Sequence, residues 1–299
     1  MNLALRYMSF LLIPKKVFSE KKKAEHTKFM KTTMTLVMLT TLAVGSGLPY
    51  TQDAAADEEK DLAKQLANPI ANLISVPLQY NYDENYGADD EGSKHILNIQ
   101  PVVPFTLNEN WNVITRTIVP LVDAEDVPLG SSESGLGDIL ASQFFSPKEP
   151  TAGGLIWGIG PVELLPTASD ETLGGEKWGM GPTFVGLKQS GPWTVGLLTN
   201  HIWSMGGEED REDINSTFMQ PFVGYITSTK TTITLNTEST YDWEGENWSI
   251  PINFYVSQLF KVGGRPLSAT AGVRYWADSP ENGPEGWGAR LALTFLFPK

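Results

Sequence analysis

Arg116, Arg274, Arg290 and Glu238 interrupt stretches of the chain in which every second residue is apolar. A guanidinium in such a setting can hold an anionic or polar solute, with Glu238 as its counter-charge. The same four side chains can instead form an internal salt-bridge cluster that does no more than fill and rigidify the fold. Both readings stand on the sequence. The only other candidates for catalysis are His95 with Ser93 and His201 with Ser204, the ingredients of a lipid hydrolase, but neither pair sits in a nucleophile motif. Acidic runs at Asp89-Asp90-Glu91, Asp123 to Asp126 and Glu208 to Asp213 offer oxygen ligands without the spacing of a calcium loop, and are expected to be solvated and repulsive. Gly158, Gly160, Gly179 and Gly181 precede no helix that could cradle a phosphate, so they read as bends or bulges. No cysteine is present, which excludes thiolate chemistry, disulfides and cysteine-ligated metals. No cofactor and no metal are expected.

Any of these residues needs a scaffold, and composition narrows the choice. Gly and Pro make up 48 of 299 residues, too many for a helical protein, while an aromatic content of 10% argues against disorder. The formal charge of −13 removes the electrostatic basis for binding nucleic acid. That charge is unevenly spread: residues 1–56 carry eight Lys/Arg and three acids, and the remainder carries 14 against 32. Residues 30–56 read as a signal peptide, with Lys28 and Lys31 before the apolar run Met34 to Val44 and Ala54-Ala55-Ala56 as the small residues for cleavage. A membrane anchor is the competing reading, although the run is short and threonine-rich. Residues 1–29 read as an upstream extension ahead of a start at Met30. Residues 57–68, with Leu62 and Leu66 on one face, predict a short helix that could act as a plug.

From residue 69 to 299 the period is two. Ile74, Val76, Leu78, Tyr80 and Tyr82 alternate with Ser75, Pro77, Gln79 and Asn81, and similar runs recur to Phe297. Twelve strands are predicted, at about 73–82, 95–105, 111–121, 138–147, 154–165, 178–187, 193–203, 217–227, 231–242, 248–260, 267–276 and 287–297. Alternate connections are long and acidic, holding 22 of the 32 acids, whereas the others are short and carry Lys148, Lys188, Lys230, Lys261 and Arg265. Sorting of this kind predicts an all-β, antiparallel, up-and-down transmembrane barrel with its short turns facing a periplasm. Trp111, Trp193, Tyr82, Tyr241, Trp243, Trp248 and Tyr275 fall at strand ends, where amphipathic rings sit at headgroup level. Since Arg or Lys on the lipid face costs ~2–4 kcal/mol at the midplane, the strand charges are expected to point inward. The phase is open for Arg116, which shares a side with Ile114 and Ile118, for Phe218, and for His201. Glu163 shares a side with Trp157 and Ile159, which places it in lipid unless Gly160-Pro161 forms a bulge.

A series of short motifs resembles one family. They are Asn68-Pro69 with Val76-Pro77, Gly137-Asp138-Ile139 with Phe144-Phe145-Ser146-Pro147, Gly160-Pro161 with Leu165-Pro166-Thr167, Leu173 to Trp178 with Gly181-Pro182, Gln220-Pro221-Phe222 with Tyr225, and Phe295 to Pro298. The family is the bacterial outer-membrane barrels catalogued under meta-pathway phenol degradation, whose members are often labelled "transporter" or "neuromedin U". The resemblance spans Asn68 to Pro298. It implies a barrel involved in degradation or uptake of small organic compounds, and carries no catalytic residues. Such barrels commonly end in an aromatic residue, whereas here Phe297 is followed by Pro298-Lys299.

The expected protein is therefore an exported barrel of a Gram-negative outer membrane, a narrow passive channel for small organic, aromatic or anionic solutes and not an enzyme. Its expected partners are outer-membrane lipids and lipopolysaccharide, the barrel-assembly machinery and a small-molecule solute, with no nucleic acid. The alternatives are an outer-membrane lipid hydrolase and a structural or adhesin-like barrel acting through its acidic loops.

Overall fold

Strand formation tracks the alternation closely. The computed structural model describes residues 54–298 except Leu129, with the backbone alone for 54–58. The expectations for residues 1–29 and for the leader over 30–53 lie outside the described residues. A helix, α1 (Ala54–Leu66), leads into fifteen strand segments: β1 (Ile74–Tyr86), β2 (Gly92–Ile99), β3 (Val102–Thr106), β4 (Trp111–Glu125), β5 (Glu133–Leu136), β6 (Ile139–Pro147), β7 (Leu155–Leu165), β8 (Lys177–Ser190), β9 (Trp193–Gly207), β10 (Asn215–Ile226), β11 (Thr231–Thr237), β12 (Ser239–Asp242), β13 (Asn247–Val262), β14 (Arg265–Asp278) and β15 (Gly286–Phe297). All pairings are antiparallel, they join strands consecutive in the chain once the pieces of each broken strand are taken together, and β1 pairs with β15, closing the ring.

The fifteen segments make twelve spanning strands, because β2 with β3, β5 with β6 and β11 with β12 are each one strand with a local break. Proline accounts for the breaks, since it offers no N–H to the ladder. Pro101 separates β2 from β3. Glu238, between β11 and β12, faces Pro251 across the sheet and donates its own N–H to the Pro251 carbonyl at 3.3 Å. Between β5 and β6 the register against β4 changes from Leu121↔Leu136 to Ile118↔Leu140, so one extra residue is accommodated at Gly137-Asp138 opposite Pro120. The β13–β14 turn has two residues: Gly263 (φ 57°) and Gly264 (φ 80°) both lie in the left-handed region, as a hairpin turn of the primed type requires.

Outward residues form the apolar band a bilayer needs. Val195 and Leu197, Ile233 and Leu235, and Ile252, Phe254 and Val256 are exposed at alternate positions. Aromatic rings bound this band at both ends. On the short-turn rim Trp111 meets Trp157 edge to face at 5.8 Å and Trp193 meets Tyr225 at 4.8 Å. On the long-loop rim Tyr241 contacts Trp243 and Trp248, Tyr275 contacts Trp287, and Trp203 packs at a tilt against His201. Along β9 the eleven residues from Trp193 to Trp203 rise ~25 Å at a tilt near 40°, the height of the apolar band in outer-membrane barrels. Strands of 15 or 16 residues such as β4, β9 and β13 exceed the span and project beyond the long-loop rim. The loops are therefore shorter, and the hairpins taller, than the sequence expectation.

The core lies in the lumen and has two unlike halves. Ile114, Phe144, Val185, Leu187 and Leu198, from β4, β6, β8 and β9, pack together with Ile70 from the segment after α1. Gly158 provides the seat for Ile70: a Cβ there would stand 3.2 Å from Phe144 Cβ and 3.4 Å from Ile70 Cδ1. The opposite half, from β1 and β11–β15, carries Asn81, Asp83, Asn236, Asn253, Arg274 and Arg290, all buried. Phe144 is 1% exposed. Phe144→Ala is expected to destabilise the barrel by about 3–5 kcal/mol, read as a fall in the guanidinium midpoint of tryptophan fluorescence in micelles.

Candidate functional site

Period-two geometry decides which side chains meet in the lumen. On β1 the polar face runs Ser75, Pro77, Gln79, Asn81 and continues to Asp83, which the sequence expectation had left in a loop. Asp83 is 2% exposed by side chain and accepts from Arg274 Nη1 at 3.0 Å and from Trp276 Nε1 at 2.9 Å. Arg290 lies opposite Asn81 on the paired strand and donates to it through Nε at 2.8 Å. Its Nη1 and Nη2 then grip both oxygens of Glu238, at 2.8 and 2.7 Å, in the fork geometry that suits a guanidinium and a carboxylate. Glu238 also accepts from Gln220 Nε2 at 3.4 Å and lies 3.9 Å from Arg274 Nη2.

Arg274, Arg290 and Glu238 therefore come together as anticipated, with Asp83, Asn81 and Trp276 as members missed at the sequence level. The signal was present, since extending the alternation of 75–81 by two residues reaches Asp83. Arg116 also faces the lumen, on the same side of β4 as Ile114, and its Nη2 donates to Gln100 Oε1 at 2.9 Å. Ile114 and Ile118 obscured its phase because this half of the lumen is apolar.

Inside the ring a cavity of about 300 Å³ remains, lined among others by Arg116, Arg290, Glu238, Gln100, Gln220 and Tyr255. Its floor is the N-terminal segment. Leu62 packs on Leu73, Leu259 and Leu296; Glu59 pairs with Lys230 Nζ at 2.6 Å; Gln189 Nε2 donates to the Lys64 carbonyl at 2.9 Å. Those partners stand on β8, the β10–β11 turn, β13 and β15, around half of the ring. A helix that reaches all of them lies across the mouth at the short-turn end.

Other expectations resolve by phase. Phe218 faces inward opposite Asn200 and packs on the apolar cluster. Glu163 stays on the outer face: it pairs across from Ala141 and Met180, next to inward Val162, and the register on either side of Gly160-Pro161 is unchanged, so no bulge turns it inward. Two residues from the end of β7, its carboxylate sits near the long-loop rim. His201 faces outward and its Nδ1 lies 2.7 Å from Thr217 Oγ1, while Ser204, three residues on, is on the opposite face and donates to Asp213. The His201 and Ser204 pair of the hydrolase alternative is thus separated by the strand itself. His95 is bound to the Tyr80 hydroxyl at 2.6 Å and packs on Tyr82.

Above the membrane band two loops are stapled together. Asp138, at the extra residue, accepts from the backbone N–H groups of Ala168 (3.0 Å) and Gly175 (2.7 Å), and Arg211 donates to the carbonyls of Glu171 and Gly174. The Ser204 hydroxyl, and with it Lys177, holds Asp213 below the usual carboxylate range. This contact is therefore fully present above the ordinary carboxylate pKa and is lost as pH falls through the lowered value. Asp89, Glu91 and Asp126 converge on the same rim.

No family model and no curated protein matches the sequence. Among solved structures, an outer-membrane channel from Pseudomonas putida F1 has the same fold, with a TM-score of 0.60 at 15% identity over 76% of this chain and 96% of that one. The NanC porin (TM-score 0.47, 10% identity, 74% and 98% covered) and the KdgM porin (0.43, 11%, 75% and 99%) are more distant.

Proposed function

We propose that the protein is an outer-membrane channel for small organic solutes, oriented with its short turns in the periplasm and its acidic hairpins outside. The observation that carries this reading is the polar-lined cavity inside a closed twelve-strand ring, whose outer face is apolar and bounded by two aromatic girdles. A ring of twelve strands is wider than side chains alone fill. In this protein the apolar half, the charged cluster and α1 narrow the lumen further, which favours slow and selective passage over bulk diffusion. The shared fold with a solved outer-membrane channel supports the reading, as does the motif resemblance to the phenol-degradation barrels. A lipid hydrolase is disfavoured by the opposed faces of Ser204 and His201.

Folded protein inserted into planar bilayers is expected to give small, discrete current steps. The channel reading is abandoned if neither the full chain nor a chain lacking α1 conducts, while both show the heat-modifiable gel migration of a folded barrel.

A further inference from the structure

Three guanidinia and two carboxylates meet at the middle of the lumen, and their pairing is uneven. Asp83 commits both oxygens to Arg274 and Trp276, and Glu238 commits both to Arg290. Arg116 is left with the neutral Gln100 amide, and among the described residues no carboxylate lies within ion-pair distance of it. A guanidinium has five N–H donors, so one neutral acceptor leaves most of them for another ligand. Arg116 is only half-buried although the barrel surrounds it, because it borders the cavity.

Arg116 sits where the polar lining of the cavity, with Gln100, Glu238 and Tyr255, gives way to an apolar wall. Val102 lies directly opposite it on β3, and Leu198 and Phe222 line the same cavity, with Leu66 and Leu73 in its floor. One unmatched positive charge beside an apolar wall suits a single anionic group carried on an apolar body. Glu238, on the edge of the same cavity, opposes a second negative charge. A volume of about 300 Å³ is at the small end of the range for small-molecule sites.

We infer that the cavity is a binding site for small monocarboxylates with an apolar body, the carboxylate held by Arg116 and the body lying on Val102, Leu198 and Phe222. The inference rests on the channel reading for its biological meaning, and names the class of solute. It separates the roles of the arginines: Arg274 and Arg290 hold the barrel together, and Arg116 selects the solute.

The test is calorimetric titration of the protein in lipid nanodiscs, against empty nanodiscs, with hexanoate, acetate, hexanol and hexylammonium. Hexanoate is expected to bind saturably and at least tenfold more tightly than acetate, since its extra methylenes are buried, with no saturable heat from hexanol or hexylammonium. Arg116→Gln is expected to weaken hexanoate at least tenfold through loss of the charge-assisted bond, and Arg116→Lys to restore much of it. Equal affinity of wild type and R116Q for hexanoate overturns the site, as does hexanol binding as tightly as hexanoate; the second comparison needs no variant and holds even if R116Q fails to fold. Absent hexanoate binding in a protein that conducts removes the site and leaves the channel. Binding retained in a protein that never conducts does the reverse.

Discussion

Removing α1, Ala54–Leu66, is expected to raise the single-channel conductance several-fold and leave the barrel folded. The helix crosses the short-turn mouth and is held at separate points: the Glu59–Lys230 ion pair, the Gln189 bond to the Lys64 carbonyl, and the packing of Leu62 on Leu259 and Leu296. None of these contacts belongs to the strand ladder, so their loss costs the ring no backbone hydrogen bonds. A milder variant probes the same closure. Lys230→Glu replaces an attraction between partly exposed groups, 24% and 29% accessible, by a repulsion against Glu59. A pair of this kind is worth ~1 kcal/mol or less, which shifts a two-state population about fivefold at most. Longer open times at unchanged unit conductance are therefore expected for K230E, against larger unit conductance for the deletion. If currents from the deletion match those of the full chain, the helix is not what narrows the pore.

Glu238→Gln is expected to cost about 3 kcal/mol of stability. The carboxylate compensates Arg290 directly and Arg274 at longer range, and taking one partner from a buried pair leaves an uncompensated charge, a loss of ~3–5 kcal/mol. The lower figure applies because Glu238 keeps 21% of its side-chain surface open to the cavity, where water screens part of the deficit. Guanidinium unfolding in micelles measures the loss. The double variant E238Q/R290Q is expected to recover part of it, because the orphaned charge is removed with its partner. Additive losses in the double variant would mean that the two side chains do not act as a pair.

Much of this architecture was legible in the sequence because a membrane strand obeys one simple rule of alternation. All twelve strands, their order and the inward direction of Arg274, Arg290 and Glu238 follow from period two and the cost of charge in lipid. The rule weakens where the lumen is itself apolar. Arg116 and Phe218 border the half of the interior that packs on Ile70, so inside and outside carry the same residue types there, and hydropathy cannot tell them apart. Asp83 was missed for a different reason: strands continue past the bilayer on the long-loop side, and an acid near a predicted strand end looks like loop. Glu163 shows that an outward carboxylate is tolerated once it is close enough to a rim to reach water. Glu238 was legible as a counter-charge, but its assignment to Arg290 and that of Asp83 to Arg274 were not, since they depend on which residues face each other across the strands, and that register is set by the whole ring.

Closure of that ring has a consequence for how the protein is made. Ile74 pairs with Phe297, so the first strand synthesised has to wait for the last before its free edge is satisfied. Until then both terminal strands present unpaired N–H and C=O groups, which are costly in hydrocarbon and adhesive in water. The charged cluster bridges the same seam, with Arg290 on β15 bound to Asn81 on β1 and Arg274 on β14 bound to Asp83. Those contacts cannot form early and form together when the seam zips. The seam is thus both the slowest contact to make, by loop-closure entropy, and the one most firmly locked afterwards. Substitutions in it are expected to affect the yield of assembled protein more than the behaviour of molecules that have already closed.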